Sequence, residues 1–206
     1  FKVWSTEFAG LKLSVETGKM AGLANASVMV RYGDTNVLCT VTASAKPREG
    51  VDFFPLSVDY EEKMYSVGRI PGSFQRREGR ASEKAILTSR CLDRPIRPLF
   101  PKDLRNDCSV VATVMSVDPD CSPEIAAMIG VSTAIAISDI PWDGPISGVN
   151  VGLVDGEIVL NPTLEQRAKT DLNLTVASTA GLVAMIEAGG NEISDDLMFD
   201  RIMAGH

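Results

Sequence analysis

Residues 123–140, PEIAAMIGVSTAIAISDI, constrain the fold more than any other stretch. Pro123 and Glu124 make a favourable helix start, and the residues that follow are apolar almost all round rather than along one stripe. A helix of that kind is expected to be central and buried on most faces. Around it lies a chain of 206 residues, 45% of them hydrophobic. That length is near the upper end of one ordinary domain and suffices to bury roughly two-thirds to three-quarters of the unfolded surface.

Most of the remainder reads as short strands. Leu11, Leu13 and Val15 alternate as a strand that ends at a turn on Gly18. Two β-branched runs, residues 27–32 and 36–43, flank Gly33, Asp34 and Thr35 and predict a hairpin. After a polar loop at 45–52, residues 53–63 predict a strand whose Pro55 marks a sheet edge or a strand start. Residues 64–79 carry Gly68, Pro71, Gly72 and Gly79 with no sustained period, which is loop chemistry. A helix follows, capped by Ser82, with a packing stripe of Ala85, Ser89 and Leu92 before Pro95 disturbs it.

The near-continuous apolar run 108–118 predicts a buried strand, and residues 148–162 a second hairpin around Asp155 and Gly156. Residues 163–170 predict a short helix, 171–179 and 180–189 two strands joined by a tight turn, and 194–206 a helix capped by Ser194. Hairpins with interspersed helices and no regular βαβ alternation predict an α+β fold, with a mixed, largely antiparallel sheet and packed helices. The chain begins without methionine and its last helix has no clear terminator, so we expect a fragment of something longer. No run reaches the roughly eighteen apolar residues of a membrane span, and the start lacks a long apolar signal core; no membrane partner is expected.

Chemistry narrows by elimination. The only histidine is His206, the last residue, which removes any internal Ser-His-Asp triad, Cys-His pair or histidine metal cluster. Cys39, Cys91, Cys108 and Cys121 are far apart, form no C-x-x-C pair and read as buried free thiols of a reducing cytosol. Gly189 and Gly190 lack the context of a phosphate loop. Asp118, Asp120 and Glu124 read as helix-capping acids, and Glu165 with Asp171 is a poor metal signal. No residue is singled out as catalytic or as a metal ligand.

One stretch stands against the charge of the whole. The chain carries −7, yet residues 74–100 hold six arginines and one lysine against three acids. Arg76, Arg77 and Arg80 lie on the glycine-flanked loop beside Phe74, a combination suited to single-stranded RNA. There phosphates pair with guanidiniums and an unstacked base can stack on the ring. Arg90 and Arg94, four apart on one helix face, suit fixed phosphate positions, with Arg97 nearly in line. The competing reading is that these arginines pair with Glu78, Glu83 and Asp93 and with neighbouring subunits.

The strings at 67–101, 138–163 and 171–179 resemble the first ribonuclease-PH-like core domain of the polynucleotide phosphorylase family, and the resemblance covers residues 3–206. It implies one ribonuclease-PH-like domain over 1–206, with a following helical segment starting at about 194–206. Beyond it the family has a second, catalytic core domain and then KH and S1 RNA-binding modules. The implied activity is a cytoplasmic, bacterial-like polyribonucleotide nucleotidyltransferase: inorganic phosphate attacks the terminal phosphodiester at an RNA 3′ end and releases a nucleoside diphosphate. Mg2+ assists, bound mainly by the second core domain, and the full-length protein is a ring-shaped homotrimer able to enter an RNA-degrading complex.

On this resemblance Phe74, Arg76, Arg77 and Arg80 grip RNA in the central channel, and Arg90 and Arg94 meet RNA phosphates near the neighbouring active site. There are departures. Gln75 stands where the family's loop has a second phenylalanine. Where the active domain has a serine-rich phosphate loop, this chain has DCSPE with Glu124, and the metal-site positions fall near Glu165, Asp171 and Asn173, without the lysine. The expectation is therefore a noncatalytic half that binds and guides RNA. The rival is a noncatalytic RNA-binding ring subunit of an exosome-like assembly; a stand-alone enzyme of the ribonuclease-PH type is disfavoured by DCSPE.

Overall fold

The structure is a computed structural model that describes residues 1–72 and 74–206. Ten strands form two sheets. The first contains β1 (Lys2–Phe8), β2 (Leu11–Thr17), β3 (Ala26–Tyr32), β4 (Thr35–Pro47), β5 (Leu56–Glu62) and β6 (Asn106–Ser116). Their order is β1-β2-β3-β4-β6-β5, antiparallel throughout except that β5 runs parallel to β6. The second contains β7 (Ser147–Val154), β8 (Glu157–Leu160), β9 (Leu172–Ser178) and β10 (Val183–Gly190), all antiparallel in the order β10-β9-β7-β8. The helices are α1 (Glu83–Ile96), α2 (Pro123–Ile137), α3 (Leu164–Lys169) and α4 (Asp195–Gly205).

The apolar helix is α2, and it lies between the two sheets, packed on β3, β4 and β6 on one side and on β7 on the other. Val28, Val30, Val37, Cys39, Val41 and Val110 turn toward it and are almost fully buried. Two glycines permit the close approach. A Cβ on Gly130 of α2 would sit 2.5 Å from Cys39 Sγ and 2.8 Å from Val30 Cγ2, and one on Gly148 of β7 would run into Met128 of α2. Alternation along β7 and β9 sends Val149, Val151, Leu174 and Val176 to the opposite face. There they meet Met198 and Ile202 of α4. The stretch expected to open a following helical segment thus packs on the second sheet.

The expected α+β fold with a mixed, largely antiparallel sheet is present, its strands divided between two sheets. Several expectations need correction. β5, α1 and β6 form a single parallel crossover unit in which β5 is an edge strand, as Pro55 suggests. β6 is not buried on both faces: Cys108, Val110, Ala112 and Val114 are buried, and the residues between them are half-exposed, because only one face of its sheet is covered by helices. Pro95 lies inside α1, since the Arg97 N–H still reaches the Asp93 carbonyl and Trp142 Nε1 donates to the Ile96 carbonyl at 3.0 Å. Ser194 precedes α4 without a side-chain capping bond.

Gly130→Ala tests the α2 seat. Alanine is favoured over glycine in a helix by about 1 kcal/mol. Against that, forcing a methyl group into the Cys39 and Val30 wall is expected to give a net destabilisation of about 2 kcal/mol. The urea midpoint should fall with an unchanged slope.

Candidate nucleic-acid interface

The arginine loop springs from the end of β5 and returns at the start of α1. After Glu62 the chain makes a 3₁₀ turn, Met64–Val67, closed by Gly68 at φ 69°. The Arg69 N–H donates back to the Met64 carbonyl at 3.0 Å. Beyond it Ile70 and Phe74 stand 80% and 104% exposed, so neither ring nor aliphatic chain has a place in the core. Arg76 lies at φ 46°, a left-handed turn at the loop tip. Arg76, Arg77 and Arg80 are all exposed, and among the described residues none of them forms an ion pair.

The acids of the island serve elsewhere. Glu78 Oε1 accepts from the Met64 backbone N–H at 2.9 Å. Asp93 holds Arg97 through two hydrogen bonds of 3.0 and 2.7 Å, and Arg97 also donates to the Leu56 carbonyl. Glu83 occupies the first turn of α1, where negative charge suits the helix dipole. Ser82 is the N-cap of α1, as its sequence position predicts, accepting from Ala85 N at 3.0 Å.

The helical arginines divide. Arg97 is a clamp between α1 and the start of β5. Arg94 is exposed and paired with Glu187 of β10 at 2.8 Å, a surface pair that a phosphate would have to displace. Arg90 is exposed on the same side of α1 and has no ion-pair partner among the described residues. Arg69, whose only sequence signal is its place among the loop glycines, is exposed on the loop with Arg76 and Arg77 and likewise forms no ion pair among the described residues.

Beside the loop's return limb opens a cleft of about 1140 Å³, walled by the end of β5, the first turns of α1 and α2, and α3. Here the DCSPE segment shows its chemistry. Ser122 Oγ donates to Glu124 Oε2 at 2.5 Å, and Lys84 Nζ lies 2.6 Å from Glu124 Oε1. Burial alone would raise the Glu124 pKa. The hydrogen bonds from Lys84 and Ser122 and the lysine charge outweigh it and hold the carboxyl below its ordinary range. Asp118 accepts from Asp120 N, and Asp120 Oδ1 caps α3 by accepting from Leu164 N at 2.8 Å. Arg167 of α3 lines the cleft and donates to the Pro119 carbonyl. Lys84, Arg167 and the buried hydroxyl of Tyr60, which has no hydrogen-bond partner among the described residues, escape sequence reasoning because they come from distant parts of the chain.

The metal-site positions do not fit a divalent cation. Glu165 is exposed and bound by Lys169 at 2.6 Å, and that hydrogen bond holds its carboxyl below the usual range. Among the described residues no group of three or more histidine, cysteine or acidic side chains converges as a metal site would require.

Comparison with known proteins follows the two-sheet division. The family described as 3′ exoribonuclease family, domain 1, matches residues 11–141, and that described as 3′ exoribonuclease family, domain 2, matches residues 144–206. Curated proteins named polyribonucleotide nucleotidyltransferase are 65% identical in Ruminiclostridium cellulolyticum and 61% identical in Lachnoclostridium phytofermentans, each over 206 residues. These alignments cover 100% of this chain but only 29% and 30% of the relatives' lengths.

Among solved structures, rice Rrp46 superposes with a TM-score of 0.73 at 17% identity, covering 93% of this chain and 85% of that one. The Archaeoglobus fulgidus exosome, solved with RNA bound to the active site, gives 0.72 at 18%, covering 97% and 86%. At such identity these two speak for the fold alone.

The Lys84–Glu124 pair can be tested by pH. Because the folded carboxyl titrates below its unfolded value, the pair's contribution is present at neutral pH and lost as pH falls through the folded value. Lys84→Met leaves Glu124 ionised and three-quarters buried. With Lys84 itself 65% exposed, screening reduces the deficit to about 1–2 kcal/mol at neutral pH. Urea unfolding should show that deficit close in acid, where the carboxyl is protonated.

Proposed function

The chain belongs to the 3′ exoribonuclease family of ribonuclease-PH-like proteins, and from that membership we propose that it is the N-terminal core domain of a polyribonucleotide nucleotidyltransferase. On this reading residues 1–206 form one ribonuclease-PH-like unit that binds and guides single-stranded RNA. A second core domain of the full-length protein carries out the displacement. The observation that carries the reading is the loop of Phe74, Arg76, Arg77 and Arg80: exposed, without ion pairs among the described residues, and next to a fully open aromatic ring.

The physics of the reaction explains the need for such a loop. Inorganic phosphate must approach an anionic strand, and the repulsion is offset only by fixed cationic groups. Guanidiniums bind phosphate oxygens with paired hydrogen bonds, and Phe74 offers a face to one base. Gln75 supplies an amide donor and acceptor instead of a second ring. Arg90 and Arg94 extend the basic path along α1 toward the reacting end, Arg94 by exchanging Glu187 for phosphate. Mg2+ belongs to the second core domain in this scheme, where it supplies charge stabilisation.

Two features of the cleft support the division of labour. On the resemblance, Glu124 and its lysine stand where the family's active domain has its serine-rich phosphate loop, and Glu165 is tied to Lys169. A homotrimer of the full-length protein, acting in the cytoplasm or within an RNA-degrading complex, completes the proposal. The alternative of a noncatalytic exosome-like ring subunit draws on likeness at 17–18% identity. The nucleotidyltransferase reading draws on 65%.

Two experiments test it. The 206-residue chain alone, given poly(A), phosphate and Mg2+, is expected to release no nucleoside diphosphate, and robust turnover would move catalysis into this domain. Replacing Arg76 and Arg77 by alanine should weaken binding of a fluorescent oligo(A). It should also lower the slope of log affinity against log salt by about 0.7 for each phosphate that is no longer bound; an unchanged slope would make the loop a structural element.

A further inference from the structure

A loop that grips by charge works only if its charges are held where the strand passes, and an exposed segment without apolar anchors has little to hold it. Here the neck is closed by two hydrogen bonds. Glu78 Oε1 accepts from Met64 N at 2.9 Å, joining the return limb to the outgoing one. Ser82 Oγ, besides capping α1, donates to Glu62 Oε2 at 2.8 Å. Glu78 is two residues from both Arg76 and Arg80 and adjacent to Arg77, yet its carboxylate is directed to a backbone N–H and forms no ion pair among the described residues.

We propose that Glu78 is a positioning residue that fixes the arginine loop for RNA by closing its neck onto Met64. This rests on the reading of the loop as an RNA grip, and it predicts an effect opposite in sign to simple electrostatics. An acid among arginines repels a polyanion, so its removal should tighten RNA binding unless the acid holds the arginines in place.

The variants Glu78→Ala and Glu78→Gln separate the two roles. Alanine removes both charge and acceptor; glutamine removes the charge but keeps an amide oxygen for the Met64 N–H. Loop opening is read without RNA, by mass spectrometry of the initial tryptic cleavage after Arg69, a bond far enough from position 78 that the substitution does not alter the protease's recognition sequence, since cleavage follows the population of the open loop. Losing one such hydrogen bond should speed cleavage about fivefold in Glu78→Ala, and leave Glu78→Gln near the wild-type rate. Oligo(A) affinity should fall severalfold in Glu78→Ala with the salt slope unchanged, and stay equal or rise in Glu78→Gln.

Wild-type cleavage rates in Glu78→Ala would overturn the neck closure. Tighter oligo(A) binding by both variants would overturn the positioning role and leave Glu78 as a mere charge. If the wild-type chain fails to bind oligo(A), the RNA reading falls and the positioning role with it, while the cleavage rates still decide whether Glu78 closes the neck.

Discussion

The close seat of α2 between two sheets is the constraint on which the rest depends. Its small residues, Ala126, Ala127, Gly130 and Ala134, let strands from both sides approach its backbone. Its N-terminal turn is thereby fixed at the rim of the cleft, with Glu124 facing Lys84 of α1 and Ser122 bonded to Glu124. Lys84 completes the link, so the start of α1, from which the return limb of the arginine loop leads, is tied to the buried central helix. Dispersion and exclusion of water do the work at the centre. One ion pair passes the resulting order to the surface.

Electrostatics at the surface is local. Charges more than about 8–10 Å apart are largely screened at physiological salt, so a net charge of −7 does not prevent a basic loop from meeting a polyanion. What matters is whether nearby acids neutralise it. Asp93 is taken by Arg97 and Glu187 by Arg94, while Glu78, though charged, is directed to a backbone N–H and forms no ion pair among the described residues. Of the internal pairing expected as the rival to RNA binding, Arg97 with Asp93 is present; Arg94 pairs with Glu187 instead, and Arg76, Arg77 and Arg80 form no ion pair among the described residues.

The central helix, the hairpins at 26–47 and 147–160, the Ser82 cap and the edge position of β5 were legible because each is written in neighbouring residues. Period, turn chemistry and capping are local signals. The split into two sheets was not legible, since alternation tells which way a side chain faces but not which strands pair. β5 beside β6 shows the limit, for 43 residues and a helix separate the end of β5 from the start of β6. The arginine island was legible as charge. The Ser122–Glu124–Lys84 network was legible only as a misplaced acid, because its lysine lies forty residues upstream. Asp120 was legible as a capping acid but caps α3, not the α2 helix that follows it.

The distribution of satisfied and unsatisfied groups bears on where function resides. Polar groups that must meet a ligand are left short of partners, whereas groups that hold a fold together find them internally. In the cleft the serine and the lysine both bind the Glu124 carboxylate, while the Tyr60 hydroxyl and Arg167 Nε have no hydrogen-bond partner among the described residues. On the loop the guanidiniums stand in water, with a ring fully open to solvent. The exposed loop arginines, without ion pairs among the described residues, are the groups on which the proposed grip on RNA rests.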